Sequence, residues 1–239
     1  MSKIALKRIV SDIVSLKKDP LENIFINFNE ENMFKITALI IGPDETPYEG
    51  GFFFFTFTFP NNYPFYPPKV SFDTIDGKVR FNPNLYQQGK VCLSIINTWP
   101  GPKWTSVQTL RSVLLSIQSL LNYYPLMNEP GYDYLLPTDT RIVLFNNIIK
   151  YETLRLGVFN MLENSTHPEF NDIIKKYFIT HYEQYEKLVE NFCKLNLDGK
   201  SLTSPIYYGC VSNIKQSNLV KNLKKYYKKF NKDYIITSN

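Results

Sequence analysis

Four apolar stretches, joined by connections too short for a crossover, constrain this chain more than any other feature. They are "NIFINF" (23–28), "MFKITALIIG" (33–42), "GFFFFTFTF" (51–59) and "PKVSFD" (68–73). Each is rich in aromatic and β-branched residues and bounded by turn clusters, which reads as a strand. Parallel pairing needs a connection of a dozen or more residues, whereas "GPDETPYEGG" fits a hairpin. The spacing therefore predicts an antiparallel four-stranded meander. In the third strand Phe53, Phe55, Phe57 and Phe59 share one face, and Phe52, Phe54, Thr56 and Thr58 the other.

A helix precedes the strands. Leu6, Ile9, Ile13 and Leu16 make one apolar stripe, and Pro20 ends it. Regular periodicity stops between residues 76 and 104, a long loop by the standards of a compact domain, and loops of that length tend to be functional. Helical spacing returns with Val107, Leu110, Val113, Leu114, Ile117, Leu120 and Leu121, and Thr105 with Gln108 reads as a capping-box start. Further helical patterns span about 140–163, 170–195 and 214–231. The expected class is α+β.

Chemistry is narrowed by what the chain carries. Three cysteines form no CxxC pair and two histidines leave no zinc-ligand spacing, so no metal site and no disulfide scaffold are expected. The first twenty residues lack an apolar core of secretory length, and no apolar run approaches the ~20 residues of a membrane span. The expectation is a soluble protein of a reducing compartment, cytoplasmic or nuclear, with no signal peptide and no membrane partner. Residues 213–239 hold seven lysines and one aspartate, a net of +6 against +5 for the whole chain, which leaves −1 for the rest. Charge confined to one segment argues against nucleic-acid binding by the whole protein. In that tail Val220, Leu223, Tyr227 and Phe230 form a stripe ringed by Lys221, Lys224, Lys225, Lys228 and Lys229. It reads as a docked helix with lysines in water; anion or acidic-partner binding is the sharper alternative.

The long loop contains "NLYQQGKVCLSI" (84–95). On composition alone Cys92 is either a small buried hydrophobe or a nucleophile. Its surroundings resemble a known pattern. "YPFYPP" (63–68), then "FNPN" (81–84), then a cysteine eight residues after that last Asn, then a Trp and an amphipathic helix, resemble the ubiquitin-conjugating enzymes over residues 1–165. Asn82 stands where the family carries His. That variant, with "GKVCLSI", "TWPGPKW", "NEPGY", "YETLR" (151–155) and "HYEQYE" (181–186), resembles the Z-type subclass, which has a C-terminal extension.

The resemblance implies a ubiquitin-conjugating fold, with a catalytic core over 1–165 and a helical extension with a basic tail over 166–239. It implies an acyl transferase that takes ubiquitin or a ubiquitin-like modifier from an activating enzyme as a Cys92 thioester and passes it to a lysine amine or a ligase. ATP acts upstream, at the activating enzyme. Exchange between two thioesters is close to isoenergetic and asks for an accessible thiol near ambient pKa, so no His base is required beside it.

Asn84 is the implied oxyanion donor, with turn formation as its plainer role. Glu129, or Asn128 beside it, is implied to assist the incoming amine, with a solvated loop carboxylate as the alternative. Ser94 stands where many members carry Asp. Phe65 and Val107 match ligase contacts; Lys7 and Arg8 match activating-enzyme contacts; packing or solvation would account for these residues equally well. Trp99 and Trp104 fit either the active-site loop or plain packing. Two other classes stay open: a non-catalytic modifier-binding module of the same fold, and an interaction protein working through its tail. Thioester formation is expected not to need residues 213–239.

Overall fold

The computed structural model describes residues 2–206 and 209–237, with 232–237 as backbone alone. The tail's residues 238 and 239 thus lie outside the described residues. Helix α1 (Lys3–Lys18) starts at Ser2, whose hydroxyl accepts from the Ala5 N–H, and ends on Lys17 and Lys18, which suit the negative end of the helix dipole. Its inward face is Ala5, Ile9, Asp12, Ile13 and Leu16. Leu6, expected in that stripe, lies about 100° round the helix from Ala5 and faces water.

Strands β1 (Ile24–Asn29), β2 (Asn32–Ile41), β3 (Phe52–Thr58) and β4 (Lys69–Phe72) form the antiparallel meander in that order. The register sets Ile36 opposite Phe57, Ile40 opposite Phe53 and Phe55 opposite Phe72. The odd-numbered aromatics of β3 meet Tyr48, Phe72 and Phe81, so this face supports the long loop.

The core helix α2 (Leu110–Leu120) begins later than its sequence suggests. Thr109 and Ser112 form the capping box. Thr105 and Gln108 close a separate turn. The carbonyls of Ser106 and Gln108 point at the Arg8 guanidinium (2.9 and 2.6 Å) instead of at helical N–H groups, and buried Asp12 accepts from the Leu110 N–H. Arg8 and Asp12 of α1 therefore define where α2 starts.

Helix α3 (Thr140–Glu152) runs without a break through a π-helical stretch (Thr153–Asn160) into α4 (Met161–Asn164). The expected 170–195 helix is two, α5 (Asn171–Thr180) and α6 (Tyr182–Cys193). The Thr180 hydroxyl bonds back to the Lys176 and Tyr177 carbonyls and competes with the backbone at the break. A short hairpin, β5 (Ser201–Thr203) with β6 (Val211–Asn213), leads into α7 (Gln216–Thr237). Leu219, Leu223, Tyr226 and Phe230 of α7 are buried against α5, α6 and the π-helical stretch, while Lys221, Lys224, Lys225, Lys228 and Lys229 face water.

The extension also covers the sheet. Phe54 packs on His167 and Phe170, and Phe52 on Tyr177, so the first half of the even-numbered face of β3 is buried, while Thr56 is half-buried and Thr58 exposed. Among the described residues no helix is long and apolar enough to cross a membrane.

Candidate active site

The long loop is pinned at its start. The Asp76 carboxylate accepts from the Lys78 and Val79 N–H groups, both at 3.0 Å. Arg155 joins Asp76 (2.7 Å) to buried Glu152 (2.6 Å), which also accepts from the Ser212 hydroxyl of β6. Val79, Arg80, Phe81 and Asn82 are then all buried.

Asn82, fully buried, performs the scaffold work of the turn. Its Nδ2 donates to the Tyr48 hydroxyl (2.9 Å) and to the Leu120 carbonyl at the end of α2 (2.8 Å). Its Oδ1 accepts from the Asn84 N–H (2.9 Å), an Asx-type turn. Burial raises the Tyr48 pKa far above the ordinary tyrosine value, so its hydroxyl stays protonated and donates to the Phe81 carbonyl (2.7 Å). An amide thus satisfies a buried carbonyl that helix geometry leaves unpaired, and unlike an imidazole it carries no proton that comes and goes near neutral pH.

Asn84 and Cys92 face each other across a tight loop. The Cys92 N–H donates to the Asn84 carbonyl (2.9 Å), and Asn84 Nδ2 donates to the Cys92 carbonyl (2.8 Å). Between them Tyr86 and Lys90 pair, and Gly89 turns the chain at φ +88°, where a Cβ would sit 2.7 Å from the Phe72 carbonyl oxygen. Beyond the cysteine, the Thr98 hydroxyl donates to the Val91 carbonyl and accepts from the Leu93 N–H. Cys92 itself keeps 1% of its surface, a more closed thiol than an accessible nucleophile suggests. Cys193 and Cys210 belong to the extension, and burial pushes both thiols above the ordinary value.

The other candidates separate. Asn128 turns its amide to Leu120 and Asn82 and is part of the scaffold. Glu129, partly exposed, brings Oε2 within 3.6 Å of Arg80 Nη2 with no hydrogen bond of its own. Trp104 donates from Nε1 to the Pro64 carbonyl (2.7 Å), tying together the two loops that display Phe65 (66% exposed) and Val107 (82% exposed). Trp99 and Ser94 are half-buried. Lys7 is exposed on α1, whereas Arg8 is turned inward onto Asp12, Ser106 and Gln108. His167 binds Asp73 and Glu169, and His181 stacks on Tyr177; neither has Cys92 as a partner.

Sequence reasoning missed Arg80. The signal was a lone cation in the run Val79-Arg80-Phe81-Asn82 that leads into the turn.

The family model described as "Ubiquitin-conjugating enzyme" matches residues 8–133, a span containing Asn84, Cys92 and Glu129. A protein named "Ubiquitin-conjugating enzyme E2 Z" from Danio rerio is 43% identical over 208 residues, covering 85% of this chain and 62% of that protein. Its namesake from Homo sapiens is 43% identical over 204 residues, covering 84% of this chain and 56% of that protein. "Probable ubiquitin-conjugating enzyme protein 17" of Caenorhabditis elegans is 39% identical over 72% of this chain and 25% of its own length. The chain thus spans less than two thirds of the length of each of these relatives.

Proposed function

The chain belongs to the ubiquitin-conjugating enzyme family, and on that premise we propose that it carries ubiquitin or a ubiquitin-like modifier as a thioester on Cys92. The observation that carries this reading is the reciprocal pair of hydrogen bonds between Cys92 and Asn84, made inside the family-matched span. In the first step Cys92 Sγ attacks the thioester carbonyl on the activating enzyme, the donor thiolate leaves, and its proton balance closes with the thiol lost at Cys92. In the second, a lysine amine attacks, an oxyanion forms and collapses, and the Cys92 thiolate departs as the amide forms. With Cys92 at 1% exposure, the rim of the site has to give locally before a carbonyl carbon reaches sulfur.

Asn84 serves both steps in this reading. One Nδ2 hydrogen holds the Cys92 carbonyl and the other remains for the oxyanion, since an amide nitrogen has two donors. Glu129, whose side chain keeps 25% of its surface, is the group that meets the amine. Phe65 and Val107 are the apolar contacts for a ligase, and Lys7 is the α1 contact for an activating enzyme. The catalytic unit is residues 1–165, and 166–239 form an extension that braces it. Its three cysteines are free, which suits a reducing compartment, cytoplasmic or nuclear.

The test is incubation with activating enzyme, ATP and a panel of modifiers. Wild-type protein is expected to form an adduct cleaved by thiol reductant. Cys92→Ser should hold the modifier as an ester that resists reductant, while Cys193→Ala and Cys210→Ala charge normally. Reducible charging that survives the loss of Cys92 sinks the reading.

A further inference from the structure

We propose that Arg80 is the positioning residue of the transfer step: one guanidinium holds the Asn84 turn and Glu129 in a single frame, which the hairpin of the extension braces from behind. This rests on the reading of Cys92 as the acyl carrier.

A buried cation needs acceptors, because desolvating it otherwise costs several kcal/mol. Arg80 is 7% exposed, and its neighbours explain why it is tolerated. Nη2 donates to the Pro83 carbonyl at 2.5 Å and lies 3.6 Å from Glu129 Oε2. The guanidinium carbon sits 4.3 Å over the Tyr86 ring, itself inside the 84–92 loop. The same nitrogen therefore reaches a turn and a loop 46 residues further along the chain.

Each contact acts on a residue of the reaction. The Pro83 carbonyl belongs to the peptide unit that carries the Asn84 N–H. A rotation there would pull that N–H from Asn82 and the Asn84 amide from the Cys92 carbonyl. Glu129 is attracted by charge, and its Oε2, shut off from solvent beside Arg80, accepts no hydrogen bond; the side chain keeps 25% of its surface, and that open part is what meets a visiting ammonium.

The brace comes from Pro205 and Cys210. The Arg80 backbone N–H faces the Cys210 thiol, and the Tyr132 hydroxyl donates to the Pro205 carbonyl (3.0 Å). These two residues thereby support both the segment carrying Arg80 and the loop carrying Glu129. Arginine suits this task better than lysine, because its planar fork serves several acceptors at fixed angles.

The experiment charges the protein with labelled modifier, removes ATP, and follows loss of thioester to free lysine and, separately, to dithiothreitol. Rates are read per charged molecule. In Arg80→Gln, discharge to lysine is expected to fall by roughly tenfold to a hundredfold, the size of effect small misplacements have. Thiolysis should fall at least about fivefold less, since a thiolate needs no carboxylate to receive a proton. Arg80→Lys should recover part of the lysine rate. Arg80→Gln combined with Glu129→Gln should be no slower than about twofold below the worse single variant, as expected for groups acting together. Equal slowing of both reactions, independent additive losses, or no loss overturns the proposal. If Arg80→Gln fails to melt cooperatively, Arg80→Lys and the Glu129→Gln background give the same discrimination. Failure of wild-type protein to charge defeats the thioester reading instead.

Discussion

At Glu129 the proposed chemistry meets a simple acid–base limit. A lysine amine is almost wholly protonated at neutral pH, its ordinary pKa being about 10.4. A carboxylate that receives the proton is worth most where free amine is scarce. Glu129→Ala should therefore discharge slowly near pH 7 and approach the wild-type rate as pH rises toward 10. A defect equal at every pH would make Glu129 a loop-former. Cys92, Asn84 and Glu129 were candidates through the family resemblance, and the sequence-local turn that the structure shows joins Asn84 to Cys92 by two hydrogen bonds. The inward turn of Arg8 and the role of Arg80 were not legible in the sequence. Both depend on which carbonyls lie opposite, at Ser106, Gln108 and Pro83, and no local pattern states that.

Elements were legible in kind and less so in their ends. The strands lie within a residue of their predicted bounds, since turn residues punctuate them on both sides. Helix α2 is capped by Thr109 and not by Thr105 because α1 claims the intervening carbonyls, a tertiary effect. The basic tail docks as expected, but its buried line is Leu219, Leu223, Tyr226 and Phe230, which completes the packing of α5 and α6. Removing residues 213–239 would strip that packing, so the expectation that charging tolerates this truncation now depends on whether the remainder stays folded. A point change tests the helix more cleanly. Leu223→Ala should cost about 2–5 kcal/mol through the cavity it leaves, lowering Tm by roughly 4–20 °C for a chain of this size. Charging of the folded fraction should persist at 25 °C. A Tm within about 1 °C of wild type would mean α7 is loosely held.

Across the whole molecule, one imidazole sits within the join between the sheet and the helices that follow residue 165. His167 Nε2 lies 3.0 Å from Asp73 and Nδ1 3.2 Å from Glu169, with hydroxyls of Thr37, Thr56 and Ser71 on the same two carboxylates. Burial opposes protonation of His167, but the two carboxylates outweigh it and raise its pKa above the ordinary 6.5. Burial likewise opposes ionisation of Asp73 and Glu169, and the bonds to His167 and the hydroxyls lower both below their ordinary 3.8 and 4.5. The histidine's contribution is therefore full below about pH 6.5 and is lost as pH rises through its folded value; the carboxylates' contribution is present above about pH 4.5 and lost in acid. Urea melts should show wild-type stability falling from pH 6 to 8.5 relative to His167→Gln. Parallel profiles would remove the imidazole from the join. The covered face of β3 was invisible in the sequence, where Phe52 and Phe54 stand among so many aromatics that nothing marks their partner.

That cover also has a direction in time. Phe52 and Phe54 leave the ribosome more than a hundred residues before Phe170 and Tyr177, which will shield them. At synthesis rates of 5–20 residues per second, the aromatic face waits roughly 6 to 25 s for its lid. During that interval the nascent sheet presents a sticky surface to whatever is nearby, and its safe completion falls to chaperones and to the pace of translation.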